Sequence, residues 1–132
     1  MKFQNWLEVY GDQSFRGDCP REDVELATFW NQLCPDLRKR AWHTENEGKR
    51  NHEKSRMKGQ LKGVSDIVVI GVPPLIIEMK RQDHTKSRWQ DGQLDFLKAC
   101  HEAGAMVCVA LGYKAALEAV EEWKSILQLE KT

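Results

Sequence analysis

The chain has 132 residues, enough for one domain with a substantial core and too few for two ordinary ones. Twenty basic and 20 acidic side chains cancel to a formal net charge of zero, which argues against a generic nucleic-acid coat, and no apolar run approaches membrane length. The charge is unevenly spread: Lys49 to Arg88 carries 10 basic and 4 acidic residues, a local +6, which suits a site for a polyanion better than the average does.

Met1 to Gly17 is mixed, and Trp6, Leu7, Val9 and Tyr10 suit either a short helix or a strand. Asp18-Cys19-Pro20 reads as a helix start with proline in the first turn. Arg21 to Leu33 then places Val24, Ala27, Phe29, Trp30 and Leu33 at helical spacing, and Pro35 ends the helix. Glu22 and Glu25 lie three apart on it, where acids favour the N-terminal dipole. Leu37 to His43 leads into a first strand. Thr44 to Lys62 is polar, punctuated by glycine and basic, with Lys49, Arg50, Lys54, Arg56, Lys58 and Lys62. It has no aromatics, so phosphate contact rather than base stacking is the mode it offers. A solvated charged loop is the plainer account.

Asp66 to Ile70 is β-branched and reads as a strand, Gly71-Val72-Pro73-Pro74 as a turn, and Leu75 to Lys80 as the returning strand. Side chains alternate along a strand, so Ile76, Glu78 and Lys80 share one face. The hairpin brings Asp66 beside them, and two carboxylates and a lysine converge. Carboxylate oxygens suit a hard ion such as Mg²⁺, and a lysine beside it can orient water or offset developing charge. A Glu78–Lys80 pair that merely packs the sheet is the competing account.

Ser87-Arg88-Trp89-Gln90 matches a capping box, which predicts a helix running from there to about Ala103, with Gly104 as its stop. Ala105 to Leu111 reads as a strand buried on both faces, hence central or parallel. Tyr113 to Leu127 is a last helix with Leu117, Val120, Trp123 and Leu127 on one stripe. This order predicts an α/β domain: a mixed central sheet flanked by helices. Cys19, Cys34, Cys100 and Cys108 show no C-x-x-C spacing, and a zinc site with His43, His52, His84 or His101 lacks ligand spacing. Cys100 and Cys108 read as small core residues, and with no signal peptide the expectation is a reducing, intracellular setting.

Asp66 followed by Glu78-Met79-Lys80 after a hydrophobic hairpin resembles the PD-(D/E)XK nuclease signature. More narrowly, Asn46-Glu47-Gly48, Lys58-Gly59, Gly63-Val64-Ser65-Asp66, Ile77-Glu78-Met79-Lys80, and Gln93 followed by Leu97 and Gly104 resemble the virus-type replication-repair nuclease (VRR-Nuc) family. The resemblance spans Arg21 to Leu111, with Ser65 standing where the family often has proline. It implies a restriction-endonuclease-like core, a single nuclease domain over residues 1–132, and an extension of unassigned role over 1–17. It implies Mg²⁺ or Mn²⁺ held by Asp66, Glu78 and the Met79 carbonyl, with Glu22 (or Glu25) assisting through water. Asp66, Glu78, Lys80 and Gln93 form the implied catalytic set, and Arg81, Lys86 and Arg88 join the basic loop in contacting DNA. Stand-alone members resemble dimeric junction resolvases, so a homodimer acting on Holliday junctions, of phage or prophage origin and working in the host cytoplasm, is the expectation. A flap, fork or nicking endonuclease, a defence nuclease, a packaging accessory, and a DNA-binding module that cuts nothing are the alternatives.

Overall fold

The computed structural model describes residues 1–43 and 65–131. Five strands form one mixed sheet: β1 (Glu8–Tyr10), β2 (Ala41–His43), β3 (Ile67–Val69), β4 (Leu75–Lys80) and β5 (Met106–Leu111), in spatial order β1-β5-β4-β3-β2. β1, β5 and β4 run parallel, whereas β3 and β2 are antiparallel to their neighbours. Among the described residues the helices are α1 (Glu22–Gln32), α2 (Pro35–Arg38), α3 (Gln93–Glu102) and α4 (Tyr113–Lys131). This is the flanked mixed sheet that the order of elements predicts. Among the described residues no helix is long and apolar enough to cross a membrane.

The pleat of β4 divides the core. Leu75, Ile77 and Met79 face one layer, with Ile67, Val69, Cys108, Phe29 of α1 and Trp123 of α4. Ile76 faces the other, with Val68, Val107, Val109 and Leu97 of α3. Each residue of β4 is buried, including Glu78 and Lys80, which stand on the same face as Ile76. β5 lies between β4 and β1 and is buried along nearly its whole length, as its unbroken apolar run requires.

Several local expectations give way to longer-range contacts. Helix α1 starts at Glu22, not at Asp18, with no side-chain cap at Arg21. The chain before it is pinned instead by Arg81, whose guanidinium takes the carbonyls of Cys19 and Pro20. Pro35 does not simply end α1; it opens α2 and carries Leu37 into the core, so the strand begins only at Ala41. The capping box at Ser87 does not form. Its hydroxyl accepts from the Arg81 N–H (3.0 Å) and donates to Glu22 (2.8 Å). Helix α3 begins six residues later, after Gly92 at φ 87°, and ends as expected at Gly104, whose φ is 98°. Met1 to Gly17, open between helix and strand, supplies the edge strand β1.

Glu25 is buried on α1, and its carboxylate accepts from the Tyr113 N–H at the start of α4 and from Gln82 Nε2 (3.0 Å). Gly112 leaves room for it: its φ is +94°, and a Cβ there would meet Glu25 Oε2 at 2.8 Å. Glu25→Ala orphans the Tyr113 N–H and should cost about 1–3 kcal/mol, read as a lower urea midpoint at unchanged slope.

Candidate active site

The antiparallel ladder of β3 and β4 pairs Ile67 with Ile77. One step towards the open end of the hairpin, the same register sets Asp66 opposite Glu78. Asp66 Oδ2 accepts the Met79 N–H at 2.9 Å, which fixes its carboxyl against β4. Burial raises the pKa of Asp66, against the opposing pull of hydrogen bonds and of Lys80. Burial also raises Glu78 well above its ordinary value, and the neighbouring Asp66 charge adds to the effect while Lys80 opposes it. Two carboxyls so placed favour a shared proton in the metal-free protein.

Lys80 is 1% exposed, so its ammonium must find partners within the chain. It donates to the Arg88 carbonyl (2.8 Å) and to Gln93 Oε1 (3.0 Å). The ring of Trp89 lies 5.5 Å away. Glu78 Oε1 and Glu22 Oε1 are each 3.9 Å from Nζ. Gln93 sits between the charges: its Nε2 donates to Glu78 Oε1 (2.7 Å), and its Oε1 accepts from Lys80 and from the Gln90 N–H (2.7 Å). It is the first residue of α3, not a residue one turn inside it, and its amide is locked rather than solvated.

Among the described residues two buried side-chain oxygens are left without a partner, Ser65 Oγ beside Asp66 and Glu78 Oε2. A buried carboxylate oxygen without a partner is costly; a proton shared with Asp66 satisfies it in the metal-free protein, and a cation would satisfy it in place of that proton. The donor set therefore fits a hard divalent ion at Asp66 and Glu78, with Met79 next to both on β4. Among the described residues no three His, Cys, Asp or Glu side chains stand close enough to hold a metal by themselves. Glu22 fits a supporting place: its Oε1 is bonded to Ser87 and lies on the Lys80 side of the cluster. Glu25, the alternative to it, is committed to α4 and Gln82. The Glu78–Lys80 pair is also a poor structural salt bridge, since 3.9 Å and an interposed amide replace direct contact.

The basic residues separate into two groups. Lys49, Arg50, Lys54, Arg56, Lys58 and Lys62 lie outside the described residues. Arg81 spends its guanidinium on the Cys19 and Pro20 carbonyls, and Lys86 donates to the Gly17 carbonyl at 2.8 Å. Arg88 is exposed, and its backbone oxygen holds Lys80. Ser87 and Trp89 are the site neighbours that sequence reasoning passes over. Ser87 carries a misleading local signal, and Trp89 carries none.

The raised Glu78 pKa sets a sign for stability. The folded, metal-free protein holds a proton that the unfolded chain has already lost, so the contribution is full below the ordinary carboxylate range and is lost as pH rises through the raised value. In chelator, the melting temperature of the parent should fall across that window relative to Glu78→Gln. Above it, Mg²⁺ or Mn²⁺ at a hundred times its Kd should stabilise the parent by about 2.7 kcal/mol and leave Glu78→Gln unmoved, as followed by calorimetry.

No protein-family sequence model matches the chain, and no curated protein sequence matches it. A solved structure titled "VRR_NUC domain protein" does: the TM-score is 0.64 at 18% identity, over 79% of this chain and 88% of that one. At that identity the likeness is one of fold, and it agrees with the family that the Asp66, Glu78-Met79-Lys80 and Gln93 pattern resembles. The chain shares the mixed α/β fold of that VRR_NUC domain structure.

Proposed function

We propose that this chain is a VRR-Nuc endonuclease that hydrolyses phosphodiester bonds in branched DNA, acting as a symmetric homodimer on four-way junctions. The observation that carries the hydrolytic reading is the buried, partnerless Glu78 oxygen, set in register with Asp66 and beside the braced ammonium of Lys80.

Asp66, Glu78 and the Met79 carbonyl would hold Mg²⁺ or Mn²⁺, with Glu22 supporting through water. When bound, such an ion polarises phosphoryl oxygens and acidifies water. The side chains do the rest. Lys80 has two donors committed to Arg88 and Gln93, and its third is free to orient the attacking water or to offset charge growing on the phosphoryl group. Gln93 keeps the ammonium and the Glu78 carboxylate from collapsing onto each other. Water attacks phosphorus in line, a P–O bond forms, and the P–O3′ bond breaks. The proton given up by water ends on the departing oxygen, so that the ends are 5′-phosphate and 3′-hydroxyl.

The choice of substrate rests on the resemblance to dimeric junction resolvases, and symmetry and charge are compatible with it. A four-way junction has two-fold symmetry and needs two cuts, which two copies of one site supply. The basic run from Lys49 to Lys62, with Arg88, offers charge for phosphates, and the sequence carries no motif that reads base edges, so DNA shape should select the substrate.

A cleavage assay on labelled junction, flap, nicked and linear duplex, with Mg²⁺ or Mn²⁺, tests the reading. Asp66→Ala should abolish cutting while DNA affinity stays within a few fold, and Lys80→Met should lower kcat by about 10²–10⁴-fold. Cutting by Asp66→Ala at the parent rate removes Asp66 from the site. Preference for flaps or nicks points to another branch of the enzyme class, and binding without cutting leaves a DNA-binding module. Sedimentation should show a dimer.

A further inference from the structure

Lys80 is held by a segment that bonds itself around Asp83 and Ser87 but leaves its Arg88-Trp89 end to contacts from elsewhere. Residues 81–92 join β4 to α3 with a single 3-10 turn, His84–Lys86, and the 81–90 part supplies both the Arg88 carbonyl and the Trp89 ring that hold the ammonium. Helix α1 and Gln93 hold this loop at Ser87 and Gln90, and a further set of contacts comes from the start of the chain. Trp89 Nε1 donates to the Lys2 carbonyl at 2.9 Å. The ring of Phe3 meets those of Trp89 and His84 edge to face, with centroids 6.4 and 5.1 Å apart. His84 Nε2 lies 3.1 Å from the Gln13 carbonyl. The Gly17 N–H donates to Asp83 Oδ2 at 3.0 Å, and Lys86 returns a bond to the Gly17 carbonyl. The segment is itself anchored, by β1 on the sheet edge and by buried Leu7.

We propose that residues 2–17 are a positioning element for Lys80: they clamp the 81–90 loop, through Phe3, Gln13 and Gly17 onto Trp89, His84 and Asp83, and so keep the ammonium beside the two carboxylates. This inference rests on the nuclease reading of the same site. It gives a task to a stretch that lies outside the region resembling the nuclease family. Without the clamp, the Arg88 carbonyl and the Trp89 ring move with the loop. The ammonium then either swings to solvent or closes the 3.9 Å gap to Glu78, neutralising the carboxylate that would hold the ion. Misplacement of a reacting group by about 1 Å can cost about 10²-fold in rate. None of the clamp residues touches the reacting atoms, so each acts through Lys80.

The test uses the full chain with Phe3→Ala, the milder Phe3→Leu, Trp89→Ala and Trp89→Phe, all assayed well below their melting temperatures. With saturating cleavable DNA, Phe3→Ala and Trp89→Ala should lower kcat by about ten- to a hundredfold while KM and DNA affinity stay within a few fold. Trp89→Phe, which keeps an aromatic face towards the ammonium, should recover most of the rate. Independently of any cleavage, the Lys80 amine should react with acetic anhydride faster in Phe3→Ala than in the parent, read by peptide mass spectrometry. A merely stabilising segment would lower the melting temperature and leave both readouts unchanged below it, which overturns the proposal. A faster reaction with unchanged kcat overturns it too, as does a lowered kcat with unchanged Lys80 reactivity. If Phe3→Ala does not fold, Phe3→Leu is held to the same two readouts. Should the parent cut no DNA, the nuclease reading falls by itself, and Lys80 reactivity alone decides whether the clamp exists.

Discussion

Burial of a carboxylate and an ammonium two residues apart in an otherwise apolar strand is the constraint on which this structure turns. Glu78 and Lys80 are each 1% exposed within β4, with Ile76 on the same face and the main core on the other. Nothing in the packing of a five-stranded sheet requires charges there, and well-packed apolar residues of similar size would commonly be as stable or more so. The chain surrounds them with polar partners: the Gln93 amide, the Arg88 carbonyl, the Ser87–Glu22 bond and the Met79 N–H on Asp66. These partners come from α1, β3, β4, the 81–90 loop and α3, so the cluster ties together elements distant in sequence.

That set of partners is nearly complete, and the gap at Glu78 is informative. Every donor placed near Glu78 meets Oε1, and Oε2 is left buried without one. Asp66, in register across the hairpin, presents a second carboxyl to the same space; burial raises both, and the Asp66 charge pushes Glu78 higher still. A structural ion pair would have been closed by direct contact with Lys80; here Gln93 keeps the charges apart. Electrostatic preorganisation of this kind costs stability in the resting protein and lowers the reorganisation needed when charge develops.

Much of this was legible in the sequence because it is local. The alternation of β4 puts Glu78 and Lys80 on one face, the Gly71–Pro74 turn returns the chain beside Asp66, and the apolar run of β5 marks a central strand. Tertiary competition hid the rest. The pattern at Ser87 is that of a helix cap, but the Arg81 N–H and the Glu22 carboxylate take its hydroxyl. Glu22 and Glu25 look equivalent on a helix drawn in isolation; only the packing of α4 shows that one reaches Lys80 and the other caps Tyr113. Arg81 and Lys86 read as surface cations, but they bond carbonyls some 60 residues away in sequence. The first 17 residues carry no motif, because their bonds to the 81–90 loop run largely through backbone groups that leave no trace in composition.

The central claim is that the Asp66–Glu78 pair is a cation site and not an internal packing device. Anomalous diffraction from crystals soaked in Mn²⁺ measures this directly. The account predicts a peak within coordination distance of both carboxylates, with Glu78 Oε2 among its ligands and Lys80 still held by Gln93 and Arg88. A map with no peak there, with the Glu78 carboxylate turned to bond Lys80 directly, would contradict it.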